Sequence, residues 1–298
     1  MEYIYYKDPS GNFGDDLNGW LWPQIFGKEN SENDIAFLGI GSILFNNHKI
    51  LTDLKERKKI VFGTGIRPTY ETFKFDKTWD IKFLRGPLSA YTLNNKHEFI
   101  TDAAYALRFV ESFGYLKKTE KKYEISVMPY FKSIEFFDWK SICDDLGYHY
   151  ISPLSENGVE FTLKEIASSK YLISEAMHGA ILADIMRVPW SRYVLTTPIT
   201  EGSMVSEFKW MDWLYSIGLS NINTTFIKFN RKTFLNHWIK KISLDTINVD
   251  FFLKQVIVKD IITQLSSINH YYLSKDKDIE IIDIKICDKI LDFRSQII

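Results

Sequence analysis

The chain has 298 residues, 45% hydrophobic, 15% aromatic and 25% charged; this globular composition excludes a disordered, collagen-like or mucin-like chain. Thirty-seven Lys and Arg against 38 Asp and Glu give a net charge of −1, which argues against nucleic acid as the main partner, because backbone binding needs a basic footprint. Length sets a soft expectation of two domains at roughly 150 residues each.

From the N-terminus, short apolar runs alternate with amphipathic ones. Residues 2–6 read as a strand, 11–16 as a turn and 17–25 as a helix. Strands follow at 34–39, 59–62, 80–84 and 98–101, with a helix at 88–94. Several of these strands end in Gly and feed a helix, the pattern of a parallel sheet. Residues 114–122 are polar and Lys-rich, like a linker. The pattern then restarts with strands at 123–128, 148–151, 171–174 and 193–196 and helices at 132–146, 162–168 and 180–186. From about Thr233 the tail has helical spacing and is expected to pack back on the domains. The expected organisation is an α/β chain with units at 1–115 and 122–225 and a tail at 226–298.

The first residues lack a basic-then-apolar leader, and no stretch approaches the roughly 18 apolar residues of a membrane span. Cys143 and Cys287 stand far apart, outside any C-x-x-C. No metal site or disulfide framework is expected, and a reducing cytoplasm is the default compartment. The 8 Trp and 16 Tyr fit carbohydrate stacking but are read first as core.

Polar residues gather at four strand-to-helix turns, where open parallel sheets bind ligands. Asn12-Phe13-Gly14-Asp15-Asp16 opens the first helix, and two adjacent acids exceed what capping requires. Asp15 or Asp16 can serve as a base toward a hydroxyl. Gly39-Ile40-Gly41-Ser42 and Gly63-Thr64-Gly65 are tight loops whose backbone N–H groups can meet an anion; neither completes a nucleotide fingerprint. Arg85-Gly86-Pro87 places an arginine before a helix, either paired with Asp102 or free for phosphate. Ser174-Glu175-Ala176-Met177-His178-Gly179 puts a histidine at a turn near a glutamate, a context the other five histidines lack.

The motifs N-F-G-D-D-L-N, G-I-G-S-I-L, V-F-G-T-G, R-G-P-L-S, T-D-A-A and S-E-A-M-H-G-A-I-L-A-D occur here in that order. In this order and spacing the chain resembles the polysaccharide pyruvyl transferases over about residues 3–220. Residues 175–190 and F-K-W-M-D-W at 208–213 are most similar to the succinoglycan-type ketal pyruvyl transferases.

The resemblance implies two Rossmann-like domains arranged as in glycosyltransferase-B folds. It implies phosphoenolpyruvate as donor and a sugar of an exopolysaccharide or capsule repeat unit as acceptor, with no further cofactor and no required metal. A lipid-linked acceptor would bring the enzyme to the inner membrane face. In that reading His178 is the general acid, Asp15 or Asp16 takes a hydroxyl proton, and Glu175 orients His178 and raises its pKa. Arg85 and Lys209 hold the donor, with Asn12, Gly41, Ser42, Gly63 and Thr64 lining the site. Some members carry a basic residue where this chain has Ala176, so Arg187, Arg192 or Lys209 would have to replace it. The rival readings are a nucleotide-sugar glycosyltransferase and a non-catalytic carbohydrate-binding subunit of an assembly complex.

Overall fold

A computed structural model describes residues 1–29, 34–46, 48–54, 56–69, 73–228 and 251–297. Strands β1 (Glu2–Tyr3), β2 (Ile35–Leu38), β3 (Lys58–Phe62) and β4 (Trp79–Phe83) form one sheet, parallel throughout and in sequential order. Strands β5 (Tyr123–Met128), β6 (His149–Tyr150), β7 (Ser169–Ser174), β8 (Trp190–Val194) and β9 (Thr224–Phe226) form a second parallel sheet, ordered β6-β5-β7-β8-β9. Strand centres such as Ile60-Val61-Phe62 and Leu172-Ile173 are wholly buried, as expected of strands covered on both faces.

The two sheets differ in winding. The second reverses direction between β5 and β7, the switch point of a doubly wound sheet, outside which ligands bind. The first has no such reversal. The expectation of two Rossmann-like units thus meets one sheet with that order and one without it.

The described helices are α1 (Phe13–Phe26), α2 (Lys49–Asp53), α3 (Pro87–Thr92), α4 (Phe113–Lys117), α5 (Trp139–Leu146), α6 (Val159–Ala167), α7 (Met177–Ile185), α8 (Ser203–Ser216), α9 (Phe251–Ser266) and α10 (Asp276–Ile297). One core joins Leu17 and Leu21 of α1 with Leu163 of α6, Ile181 of α7 and Ile286 of α10. Helix α10 buries Ile279, Ile282, Ile286, Ile290 and Phe293 at helical spacing. Its Phe293 ring lies 5.7 Å from Phe37 of β2, and Arg294 donates to the Ile25 carbonyl at 2.6 Å. The last helix therefore covers the first sheet. Helix α9 sets Ile257, Ile261 and Leu265 against Val127, Ile173 and Tyr193 of the second sheet. Residues 229–250, where the tail was expected to begin, lie outside the described residues.

Several elements depart from the sequence expectation. Residues 98–101 form only an isolated Leu84–Phe99 bridge. The helix expected over 132–146 is a 3-10 turn (Phe131–Glu135) followed by α5. Asp138 caps α5 by accepting from Ser141 N–H at 3.1 Å, which forces a fresh helix start. The expected linker at 114–122 instead carries most of α4, which buries Leu116, and Lys121 Nζ donates to the Ala167 and Ser169 carbonyls, both at 2.9 Å. Trp22, Trp139, Trp190 and Trp213 are fully buried, so these tryptophans are core. Among the described residues no helix is long and apolar enough to cross a membrane.

Candidate active site

A cleft of about 340 Å³ opens where loops from both sheets meet, within the usual size range of small-molecule sites. Asn12, Gly14 and Asp15 line it from the start of α1, Gly41 and Ser42 from the loop after β2, and Arg67 from the loop after β3. Tyr130, Phe131 and Lys132 enter after β5, Ala176 and His178 after β7, and Glu201 and Lys209 from in and just before α8. The β5 and β7 contributions flank the switch point.

The start of α1 is held by Asn18, a buried amide with every hydrogen-bonding role filled. Its Oδ1 accepts from Trp22 Nε1 and Ile40 N–H, both at 2.8 Å, and its Nδ2 donates to the Ile40 and Asp15 carbonyls at 3.0 and 2.9 Å. This locks α1 to the loop carrying Gly41 and Ser42. Asn12 is the N-cap residue, but its side chain makes no cap. Its Nδ2 donates to Asp15 Oδ2 at 2.6 Å. Burial raises Asp15 to about 7, against the opposing pull of Lys209 and Asn12. Asp16 faces elsewhere. Its Oδ2 accepts from Asn12 N–H at 3.2 Å and Ser155 Oγ at 2.9 Å, tying α1 to the second half of the chain. Of the two acids, Asp15 lines the cleft and Asp16 does not.

His178 sits in the first turn of α7 with its side chain 16% exposed. A Cβ on Gly14 would lie 2.1 Å from His178 Nδ1, so glycine is what lets the imidazole lie on α1. The buried Nε2 lies 4.0 Å from Oδ2 of Asp102, and neither atom has a hydrogen-bond partner. Burial, with Lys209 and Arg85 nearby, lowers His178 to about 3. Burial raises Asp102 to about 6, against the opposing pull of Arg85. The ring is therefore neutral at pH 7 even with the Asp102 carboxyl behind it.

Glu175 does not orient His178. Its Oε1 accepts from the backbone N–H groups of Leu195, Thr196 and Thr197 at 2.8, 2.6 and 2.9 Å, closing the end of β8. Glu175→Ala would leave three buried N–H groups without an acceptor, at about 1–3 kcal/mol each. Urea denaturation is expected to show a loss of at least about 3 kcal/mol, with Glu175→Gln, which keeps an acceptor oxygen, losing less.

Arg85 is wholly buried and does not line the cleft. Its Nε donates to Asp212 Oδ2 at 3.1 Å and its Nη1 to Ser42 Oγ at 2.6 Å, so it stands one layer behind the wall and fixes Ser42. Gly65 packs flat on the guanidinium, where a Cβ would come within 2.3 Å of Cζ. Gly63 and Thr64 are also behind the wall: Thr64 Oγ1 bonds the Leu38 and Gly39 carbonyls, and Gly63, at φ +82°, packs on Ala103. Lys209 is in the cleft, with Nζ 2.5 Å from Glu201 Oε1. Of the other cations considered against Ala176, Arg187 binds the Ser274 carbonyl at 2.7 Å and Arg192 pairs with Glu207 over the Trp210 ring.

The structure brings to the site residues the sequence reading did not place there: Asp102, named only as a partner for Arg85, behind His178, and Arg67, His48, Tyr130, Lys132 and Glu201 in the cleft. Arg67 lies in the loop after β3 and Tyr130–Lys132 in the loop after β5, so the rule that flagged Gly41 and His178 applies to them as well. Asp102 directly follows residues 98–101, but its relation to His178 spans 76 positions and leaves no local mark. Among the described residues no group of three His, Cys, Asp or Glu is arranged for a metal ion.

An α/β protein with an acid, a histidine and cations converging on a switch-point cleft has the build of a group-transfer site. The family model for polysaccharide pyruvyl transferases matches residues 3–191, and the chain belongs to that transferase family. The succinoglycan biosynthesis protein ExoV of Rhizobium meliloti (strain 1021) is 34% identical over 223 residues, which are 74% of this chain and 66% of that protein. The match thus spans just under two thirds of that relative's length. Among solved structures, an uncharacterized Klebsiella pneumoniae protein overlaps 77% of this chain and 93% of its own at 16% identity and TM-score 0.44. A variant of the wall teichoic acid polymerase TagF overlaps 78% of this chain and 74% of its own at 13% identity and TM-score 0.32.

Proposed function

We propose that the protein transfers the enolpyruvyl group of phosphoenolpyruvate onto two hydroxyls of one sugar in a polysaccharide repeat unit, forming a pyruvate ketal and releasing phosphate. The observation that carries this is the meeting of Asp15, His178 and Lys209 in one cleft, within a chain of the pyruvyl transferase family. Two Rossmann-like units in the glycosyltransferase-B manner, at 1–115 and 122–225, are part of the same reading, supported by the winding of the second sheet. So are a cytoplasmic setting, without metal or further cofactor, and an acceptor presented on a lipid at the inner membrane face.

Protonation of the donor's C3 makes C2 cationic, and one acceptor hydroxyl bonds to it. Departure of phosphate and attack by the second hydroxyl close the ketal. Of the two hydroxyl protons, one balances the proton given to C3 and the other leaves with phosphate. His178 is the proton donor to C3. Each opposite charge within about 4–6 Å raises a pKa by about 1–3 units, so the donor's phosphate and carboxylate together bring the ring's pKa up from about 3 toward the working pH. Asp15, at about 7, is a base matched to neutral pH and takes the proton of the attacking hydroxyl. Lys209 offers the donor a charge-assisted contact by exchanging Glu201 for phosphate.

His178 gains its proton when the donor binds, so donor binding is expected to take up protons near pH 7. Affinity then falls as pH rises, and calorimetry in buffers of different ionisation enthalpy reads the uptake directly. The function itself is tested by phosphate release from phosphoenolpyruvate with a panel of galactosides, glucosides and N-acetylhexosaminides. Acceptor-dependent release supports it. Turnover of nucleotide-sugars on the same panel, without release from phosphoenolpyruvate, overturns it.

A further inference from the structure

We propose that Tyr105 is a positioning residue for His178: its hydroxyl, bonded to Asp184, holds the helix carrying His178 against the turn carrying Asp102 and so fixes which nitrogen of the free imidazole bears the proton. Its effect on rate rests on the pyruvyl-transfer reading above; its effect on the imidazole does not.

Tyr105 and Asp184 are wholly buried and lie outside the cleft. Tyr105 Oη donates to Asp184 Oδ2 at 2.7 Å. Asp184 also accepts from Ser274, whose Oγ meets Oδ2 at 2.6 Å and whose N–H meets Oδ1 at 2.8 Å, and from Trp190 Nε1 at 3.4 Å. A buried carboxylate needs such partners, and Ser274 and Trp190 give both of its oxygens one without Tyr105. What the Tyr105 bond adds is a link, across 79 positions of sequence, between two elements of the site.

Asp102 caps the 3-10 turn Ala103–Phe109, and its Oδ1 accepts from Ala104 N–H at 3.0 Å, which leaves Oδ2 for His178. Tyr105 follows in that turn. Asp184 comes six residues after His178 on α7, about 9 Å along the helix. Among the described residues one other hydrogen bond joins the turn to α7, from Arg108 Nη1 to the Ile185 carbonyl at 3.2 Å. It lies a residue further from His178, on a guanidinium shared with Asp283. The buried side chains nearby on both elements are small, with Ala103 and Ala104 on the turn and Ala180 and Ala183 on α7, so a directional bond is what sets their register. His178 Nε2 is turned to Asp102 Oδ2 at 4.0 Å, whereas Nδ1 lies beside Gly14, which lines the cleft. An N–H dipole facing a carboxylate is favoured over a lone pair there, so the neutral ring carries its proton on Nε2. Nδ1 is then the nitrogen free to gain a proton in the cleft and pass it to the donor's C3.

Nitrogen NMR of the protein with isotope-labelled histidine, near pH 8 and without substrate, reads the tautomer while Asp102, at about 6, is ionised. His178 is assigned by the signals lost in His178→Ala. The wild type is expected to show the Nε2–H form, and Tyr105→Phe, which removes a single oxygen, a mixture of both neutral tautomers. Ser274→Ala is the matched control, because it removes a bond of similar length from the same Asp184 oxygen but none to the Asp102 turn. It should lower the urea midpoint about as much as Tyr105→Phe and keep the wild-type tautomer. Tyr105→Phe should also lower kcat at least about tenfold, the scale of a small misplacement of a reacting group, with KM for phosphoenolpyruvate within about twofold. A wild-type ring protonated on Nδ1, an unchanged tautomer in Tyr105→Phe, or the same change in Ser274→Ala overturns the positioning role. In a protein that releases no phosphate from phosphoenolpyruvate the spectrum still decides that role, and the pyruvyl-transfer reading alone is overturned.

Discussion

Replacing His178 with alanine is expected to lower turnover by about 100- to 10,000-fold, the usual range for a positioned general acid. The fold should survive, because the ring borders the cleft and makes no hydrogen bond. Asp102→Asn separates chemistry from architecture. The amide still accepts from Ala104 N–H, now made to Asp102 Oδ1 at 3.0 Å, but it removes the negative charge behind Nε2. Turnover should fall and the alkaline limb of the pH profile should move to lower pH, since losing the negative charge disfavours the imidazolium. Steady-state rates from pH 5 to 9, with circular dichroism as the check on folding, read both effects. A purely structural Asp102 would change stability and leave the alkaline limb where it was.

Asp212→Ala is expected to cost about 3–5 kcal/mol in stability, the range for stranding one member of a buried ion pair. Both partners are fully buried. Asp212 also accepts from Ser89 N–H at 2.9 Å and Ser89 Oγ at 2.6 Å, so its loss strands three donor groups at once. Arg85 Nη2 already lacks a partner, which leaves little room for rearrangement. Gly86 packs so closely on the Asp212 backbone that a Cβ would come within 2.0 Å of its carbonyl oxygen. Chemical denaturation measures the loss. An effect under about 1 kcal/mol, the scale of an exposed pair, would contradict the view that this contact joins the two halves. Because Arg85 holds Ser42, surviving protein should also show a raised KM for donor.

Much of the α/β pattern was legible because parallel strands buried on both faces read as apolar runs ending in Gly. Tyr123–Met128 matches its expected bounds. The motif residues Asn12, Asp15, Gly41, Ser42, His178 and Lys209 share one cleft. What the sequence could not show is which way a side chain turns once the chain is folded. Asp15 and Asp16 are adjacent, yet one faces the cleft and the other bonds Ser155. Glu175 stands three residues from His178 but is held by three N–H groups from the end of β8. Arg85 had Asp102 as its apparent partner and found Asp212, 127 positions away. The order β6-β5-β7-β8-β9, which sets the loops carrying Tyr130 and His178 after neighbouring strands, depends on strand pairing and not on local pattern.

The most direct test is to run the reaction in D2O with phosphoenolpyruvate and an acceptor saccharide and to examine the product by NMR. Ketal pyruvyl transfer predicts a ketal bridging two hydroxyls of one sugar, a methyl group carrying one deuterium taken up at C3, and one phosphate released per ketal. A product that retains the vinylidene CH2, or phosphate released with free pyruvate and no ketal, would contradict it.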